Sequence, residues 1–586
     1  MFKTYIIISI LAILIIVSFF FINKEHQSNM FNVNTLKSVE NIKTIPLNLF
    51  QTWKTLNLPP KMKENVELLK TQNPEFTHYL FDDKMCSDFI EKYFDKSVLY
   101  TYNKLKPGAY KADLFRYCVL YIHGGIYLDI KFRCVPNFKL IYLTNAEYFV
   151  RDHDISNGTN GVYQALLICY PNNNILYNCI KDIVENVKNN YWNYNNSDIS
   201  NSLAITGPLL MSKYFYQIEI HNFILSFDIL RNHINYKNSH ILEIYKEYRK
   251  EQVSSDSNYY VKLYMERDIY NYINLKNIKT YDFTRTTTKN INGTDILFYS
   301  GTPSIIDHPT KKNTYIINIR WINYKINQIP TRLISLNSRF ELNNNFEKIS
   351  DEIFLDYNYN EKIMYDGIED IRLFNFKNII YYIGSVYDNI RKVISMSYNI
   401  YDLDKTELKK TIINPNFYDI IKKIRIEKNW SLFNYNDELA VVYCWYPLII
   451  CKIDLNNNLL KTINIKYNIP FYFKEVRGTT PGYIFNNEIW FVLHKSQRNI
   501  INNIDYINYQ HFFAVFDINM NLLRYSELFK LENETVEFCI GLIIKNNNII
   551  LSYSILDTST KISIYSMDYI KNSLLWYDNK PNELIK

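Results

Sequence analysis

The chain has 586 residues, 66 of them basic and 59 acidic, for a net charge of +7. That length exceeds one ordinary hydrophobic core, so at least two domains are expected, and 47% hydrophobic with 21% charged residues excludes a disordered chain. The basic excess is mild and carries only isolated pairs such as Lys409-Lys410 and Lys422-Lys423, which excludes the footprint of a nucleic-acid binder.

Tyr5 to Ile22 is an uncharged run of eighteen residues, just long enough for a bilayer span. No small-residue cleavage site follows it, so a retained signal anchor over 1–22 is favoured over a removed signal peptide. The polar stretch 23–43 then reads as a stem, giving a single-pass membrane protein of Golgi-like layout. Tyr is used 52 times, and Asn, Ile and Lys are also plainly over-used. All four have AT-rich codons, so the bias points first to an AT-rich eukaryotic or large viral genome. Five sequons, at Asn157, Asn195, Asn292, Asn429 and Asn533, would be used only if the body is luminal.

From Ile45 strand and helix signals alternate. Ile45–Trp53 is strand-like, Lys61–Gln72 places Met62, Val66, Leu68 and Leu69 at helical spacing, Phe76–Phe81 is strand-like and Asp88–Tyr93 helical. A helix over 108–122 and a short strand over 126–130 follow, separated by Gly124-Gly125. This alternation predicts an α/β domain with a parallel or mixed sheet. Asp113 and Arg116 are three apart on the helix and share a face. Leu114, Cys118, Val119 and Tyr121 can pack away from that face. Asp129 falls where the strand ends, the place where open α/β sheets gather ligands. The eight cysteines form no Cys-x-x-Cys and no zinc-type cluster, and a Cys169–Cys179 bridge stays open.

Near residue 290 helical periodicity fades. Five apolar, β-branched and aromatic blocks follow: Tyr315–Trp321, Ile379–Val386, Leu439–Ile453, Glu488–Leu493 and Ile549–Leu556. Their spacing of about 60 residues suggests the blades of a five-bladed β-propeller, with a two-sheet sandwich as the other arrangement.

The segment Lys111-Ala-Asp-Leu-Phe-Arg-Tyr117, then His123-Gly-Gly-Ile-Tyr-Leu-Asp-Ile-Lys131, resembles the sugar-nucleotide-binding region of glycosyltransferase family 32, the group with the DXD motif. Phe50-Gln-Thr-Trp53, Asn73-Pro74 through Asp83, Gly161 through Leu176, and Thr206-Gly-Pro208 extend the likeness over residues 44–290. The resemblance implies a GT-A fold over 44–290, a nucleotide-sugar donor, a glycan or protein-linked acceptor, and retention of anomeric configuration. It implies catalytic roles for Asp113, Arg116 and Asp129, and donor contacts for Trp53, Tyr117, Gly125 and Lys131. It also implies Mn²⁺ or Mg²⁺ held by Asp129. Here the second acid of the motif is Lys131. The metal could then be held by Asp129 with another residue, Lys131 could supply the charge instead, or catalysis could be lost.

Within 296–586, Gly367-Ile-Glu-Asp-Ile-Arg372 resembles the Gly-Ile-Glu-Asp-Pro-Arg motif of five-bladed propellers of glycoside hydrolase family 130 and the mannosyl-phosphorylase kind. Arg477-Gly-Thr-Thr-Pro481, His494 and Glu537-Phe-x-x-Gly541 follow in the order seen there. Glu369, Asp370, Arg372, Arg477 and His494 are the implied sugar-binding residues. Arg320-Trp-Ile-Asn-Tyr324, where that family's catalytic acid is expected, carries no carboxylate. Two rival readings are therefore a non-catalytic sugar-binding protein and a propeller-based glycoside phosphorylase or hydrolase.

Overall fold

A computed structural model describes residues 44–156, 159–191, 199–253, 259–325, 330–357, 359, 364–415, 427–454, 456–501, 504–578 and 584–585. The anchor and stem expected over 1–43, and the sequons at Asn157 and Asn195, lie outside the described residues. Among the described residues no helix is long and apolar enough to cross a membrane.

The chain forms two compact units, Met1–Asn271 with Asn582–Lys586, and Tyr272–Pro581. The division falls earlier than the change of periodicity near residue 290 indicates. The reason is non-local pairing. Strand Ile273–Asn274 pairs in parallel with Phe529–Lys530, and Lys279–Asp282 pairs antiparallel with Lys561–Ser566. These residues therefore belong to the second unit.

In the first unit, β1 (Asn48–Thr52) leads through α1 (Pro60–Gln72) to β2 (Thr77–Phe81). Helix α2 (Asp83–Tyr93) starts earlier than the apolar spacing suggests, because the Asp82 side chain accepts from the Met85 amide at 2.8 Å and caps it. Helices α3 (Lys96–Lys104) and α4 (Gly108–His123) precede β3 (Gly125–Leu128). Both β2 and β3 pair in parallel with β1, one on each side. Beyond β3 the sheet continues through β4 (Phe132–Cys134), β5 (Tyr148–Ser156), β6 (Thr159–Cys169), β7 (Leu225–Asp228), β8 (His233–Tyr236) and β9 (Ser239–Ile244). The strand order is β2-β1-β3-β6-β5-β7-β8-β9-β4, a mixed sheet. The mixed α/β architecture is the one the alternating pattern indicates. Because the chain builds outward from β1 in both directions, the carboxyl ends of β1 and β3 form a switch point where a ligand crevice opens.

Helix α4 is buried all round: Leu114, Phe115, Cys118 and Val119 are joined inside by Asp113, Arg116 and Tyr117. Such a helix is a core element, and its polar residues need internal partners. Gly124 (φ 60) ends it, its amide bonding Leu120 O at 2.8 Å. Gly125 adopts φ 122, and a Cβ there would meet Asn48 O at 2.6 Å. Its lack of a side chain is what lets β3 lie against β1, and the structure places it off the cavity wall described below, away from the donor contact expected of it. Gly125→Ala should destabilise the first unit by about 1–3 kcal/mol, read as a lower urea midpoint; an unchanged midpoint contradicts this packing argument. Cys169 and Cys179 are both buried and both free, so the open question of a bridge is answered in the negative.

Where described, the second unit is built of strands apart from the short helix Met567–Ser573 and a single turn of helix over Phe471–Phe473. Four strands each come from 294–354, 369–415 and 431–466, and from 483–526 as Tyr483–Phe485, Glu488–Ile501, Ile504–Asp517 and Leu522–Ser526, in antiparallel succession. A last meander, Glu537–Lys545, Asn548–Ile555 and Lys561–Ser566, is completed by Lys279–Asp282 from the start of the unit. The second and third meanders meet through a parallel pair, Asn414 opposite Leu459. The apolar blocks read from the sequence fall on the second strand of each meander. Leu439–Ile453 covers two strands, Glu438–Trp445 and Leu448–Asp454.

Candidate functional site

The carboxyl ends of β1 and β3 open onto a cavity of about 420 Å³. Thr52 and Trp53 reach it from β1, and Tyr127, Asp129 and Lys131 from β3 and its turn. Arg116 comes from α4, and Tyr248, Gln252, Tyr259 and Tyr260 come from the end of the unit. Trp53 is half-buried on this wall.

Four charged residues form one network. Arg116 places Nη1 3.1 Å from Asp113 Oδ1 and Nη2 3.3 Å from Asp129 Oδ1. Lys131 Nζ donates to Asp129 Oδ2 at 2.8 Å. Arg116 Nη1 also donates to Gln164 O at 2.8 Å, and its guanidinium lies 4.6 Å from the centre of the Tyr127 ring. Thr52 Oγ1 and the Tyr127 hydroxyl are 2.9 Å apart. Asp113 accepts from Thr206 Oγ1 at 2.7 Å, so the Thr-Gly-Pro segment closes over it from behind.

The network brings Asp113, Arg116, Asp129 and Lys131 together, as the helix-turn-strand spacing indicates. Within it the roles divide. Arg116, Asp129 and Lys131 line the cavity, whereas Asp113 is not on its wall and touches it only through Arg116. Tyr117 is likewise away from the wall. Its hydroxyl bonds Gln164 Oε1 and lies 3.1 Å from Thr206 O, so it braces the helix and is not a donor contact. Thr206, Gln164 and Thr52 are site partners to which the sequence assigns no role. All three lie in stretches that carry the family likeness, Thr52 in Phe50–Trp53, Gln164 in 161–176 and Thr206 in Thr206–Pro208, but nothing local marks them as partners of the charged network.

Burial pushes the Asp113 carboxyl up to about 6, against the lowering pull of Arg116 and Thr206. Burial acts on Asp129 too, but Lys131 and Arg116 together outweigh it and hold its carboxyl below the usual range. Asp113 shares one guanidinium with Asp129, and Asp129 has Lys131 in addition. The first proton taken up by the network therefore goes to Asp113.

The expectation that Asp129 holds Mn²⁺ or Mg²⁺ is not met by these residues. Both Asp129 oxygens already face protein cations. Hard divalent ions need several oxygen ligands at about 2.0–2.6 Å. Among the described residues the His, Cys, Asp or Glu group that converges closely enough to hold an ion is His233, His240 and Glu243, on β8 and β9 and off the cavity wall.

In the second unit a separate polar cluster ties several sheets together. Arg320 pairs with Glu369 Oε1 at 3.2 Å and Asp370 Oδ1 at 2.8 Å, and Lys428 pairs with Glu369 Oε2 at 3.2 Å. Arg372 is fully buried and donates to Thr479 O at 2.7 Å and Asn429 Oδ1 at 2.9 Å. Thr479 Oγ1 in turn lies 2.8 Å from His494 Nδ1. Burial, with His511 and the two nearby arginines, keeps His494 neutral by pulling its pKa well down. Arg477 sits opposite His494 in the strand register but is exposed. Asp557 adds its charge beside Arg320, and burial lifts its carboxyl to about 6.

Residues 59–150 match the family model described as "Glycosyltransferase sugar-binding region containing DXD motif". The first unit therefore carries a segment of that type. The chain is 33% identical over 94 residues to the initiation-specific alpha-1,6-mannosyltransferase of Candida albicans, which is 15% of this chain and 24% of that protein. It is 26% identical over 190 residues to inositol phosphoceramide mannosyltransferase 2 of Schizosaccharomyces pombe, 32% of this chain and 52% of that one. The chain thus spans from about a quarter to about half of the length of these curated relatives. Among solved structures, the beta-1,2-mannobiose phosphorylase from Listeria innocua aligns with a TM-score of 0.33 at 11% identity, covering 47% of this chain and 92% of that chain.

Proposed function

We propose that the chain is a hexosyltransferase whose first unit binds a nucleotide sugar in the 420 Å³ cavity and passes the sugar to an acceptor hydroxyl. The observation that carries this reading is the Arg116–Asp129–Lys131 wall at the carboxyl ends of two parallel strands. The acceptor oxygen bonds to the anomeric carbon. The bond from that carbon to the diphosphate oxygen breaks, its electron pair leaves with the nucleoside diphosphate, and the hydroxyl proton passes to the departing diphosphate oxygen. The chain's part is to orient the donor and to face the departing negative charge with fixed cations. Arg116 makes the donor contact, Asp113 positions Arg116, and Trp53 offers a ring face to the base or sugar.

The names of the relatives suggest a mannosyl donor and a glycan or lipid acceptor. Retention, a protein-linked acceptor and a membrane anchor over Tyr5–Ile22 complete the proposal. A screen of GDP- and UDP-sugars against mannoside and inositol-lipid acceptors, with the product's anomeric configuration read by NMR, tests it. Transfer with retention is expected. Absence of transfer from every donor overturns it.

Asp113 gives this reading a pH signature. At neutral pH the carboxyl is ionised and anchors Arg116; as pH falls through about 6 it takes up a proton and the anchor weakens. Donor affinity should therefore show an acid limb near 6 that Asp113→Asn removes, with affinity already about tenfold lower at pH 7, about 1.4 kcal/mol. A limb that persists in Asp113→Asn assigns the titration to another group. The stability sign is opposite, since a raised carboxyl contributes stability below its unfolded value that is lost as pH rises through about 6.

For the second unit we propose a five-bladed propeller closed by Lys279–Asp282 and serving as a sugar-binding module. The charge of Asp557, which acts on Arg320 together with those of Glu369 and Asp370, favours a second reading, glycoside cleavage in this unit. Release of p-nitrophenol from aryl glycosides, with and without phosphate and lost in Asp557→Asn, would support that second reading.

A further inference from the structure

We propose that the Lys131 ammonium stands where a divalent ion would otherwise face the donor diphosphate, so that the first unit binds nucleoside diphosphates without metal. This rests on the glycosyltransferase reading of the same cavity.

Lys131 is built into the wall. Its Nζ donates to Asp129 Oδ2 at 2.8 Å, and its side chain is 18% exposed. The ammonium lies 5.3 Å from the centre of the Tyr163 ring and 5.5 Å from that of Phe132. Tyr163 is itself stacked on Phe227, with centroids 4.0 Å apart and planes within 5°. The charge is thus held by a carboxylate on one side and braced aromatic rings on the other. Swinging it away to admit an ion would give up these contacts and take one of the two cations from Asp129. A divalent ion seated on Asp129 would also lie beside the Arg116 guanidinium, 3.3 Å from the same carboxylate.

The cavity's charge balance points the same way. Lys54, Lys106, Lys111, Arg116 and Lys131 line it, against Asp83 and Asp129. Lys106 already pairs with Asp268. Arg116 likewise pairs with Asp113 off the wall, so the remaining excess is one positive charge, of the sign that attracts a diphosphate. An ammonium has three donors, and Asp129 uses one, so Lys131 can bond phosphate oxygens while staying anchored.

The test is calorimetric titration of the full chain with GDP and with UDP, first in EDTA and then with Mn²⁺. Binding in EDTA is expected, with an affinity within about threefold of that in Mn²⁺. Lys131→Ala should weaken it by about tenfold or more, and Mn²⁺ should not restore it. Lys131→Asp, which recreates two acids, should bind only when Mn²⁺ is added. Binding by the wild-type chain that requires Mn²⁺ overturns this inference while leaving the glycosyltransferase reading intact. Failure to bind either nucleotide in both conditions overturns that reading and this inference together. The wild-type comparison needs no variant, so a misfolded Lys131→Ala does not cloud the result.

Discussion

Replacing Arg116 by alanine should abolish sugar transfer, with a fall of about a hundredfold or more in kcat/KM. The guanidinium is the hub of the first unit's site. It touches both Asp113 and Asp129, and it also holds Gln164 O. Removing it takes away a cation on the cavity wall and leaves Asp113 buried without an ionic partner. A buried pair broken on one side costs about 3–5 kcal/mol, so the variant should also melt earlier. Arg116→Lys separates the two effects. It keeps one positive charge but cannot reach both carboxylates with a planar fork, so stability should recover in part while activity stays low. An Arg116→Lys enzyme of normal activity would show that the fork geometry is unimportant.

The second large effect belongs to the strand-built unit. Arg320→Ala should destabilise it by about 3–5 kcal/mol, lowering its melting temperature by at least about 6 °C. Arg320 is buried and bonds Glu369, Asp370 and Ser335 Oγ, residues of a neighbouring meander and of its own. Without it Glu369 retains Lys428, but Asp370 loses its ion pair. Arg477→Ala is the matched control. That side chain is exposed, so its loss should cost less than about 0.5 kcal/mol. Equal melting shifts for the two variants would mean that the cluster does not tie the sheets together.

Much of the first unit is legible in the sequence because its signals are local. The apolar run of α4, the glycine pair and the short β3 follow one another within twenty residues, and the position of Asp129 at the strand end follows from them. What stays hidden is long-range. Thr206 bonds Asp113 across 93 positions, and Gln164 O meets Arg116 across 48. The sharing of Arg116 between two carboxylates, which moves Asp113 off the cavity wall into a positioning role, depends on side-chain directions that helical spacing does not specify. Lys131 is visible as a departure from Asp-x-Asp, but only its bond to Asp129 shows that both carboxylate oxygens are engaged.

The second unit divides in the same way. The apolar blocks are legible because they fall on strands with long buried apolar runs, as in Tyr315–Ile322. The start of the unit is not, since Lys279–Asp282 finds its partner only at Lys561–Ile564. Asp557 is hidden for the same reason: it joins Arg320 from the far end of the chain.

The central claim is that the cavity between β1, β3 and α4 is the donor site. A structure of the full chain with a bound nucleotide sugar tests it most directly. The account predicts the diphosphate within hydrogen-bond reach of Arg116 or Lys131, with Trp53 against the sugar or base. A nucleotide sugar seated in the second unit, with this cavity empty, would contradict it.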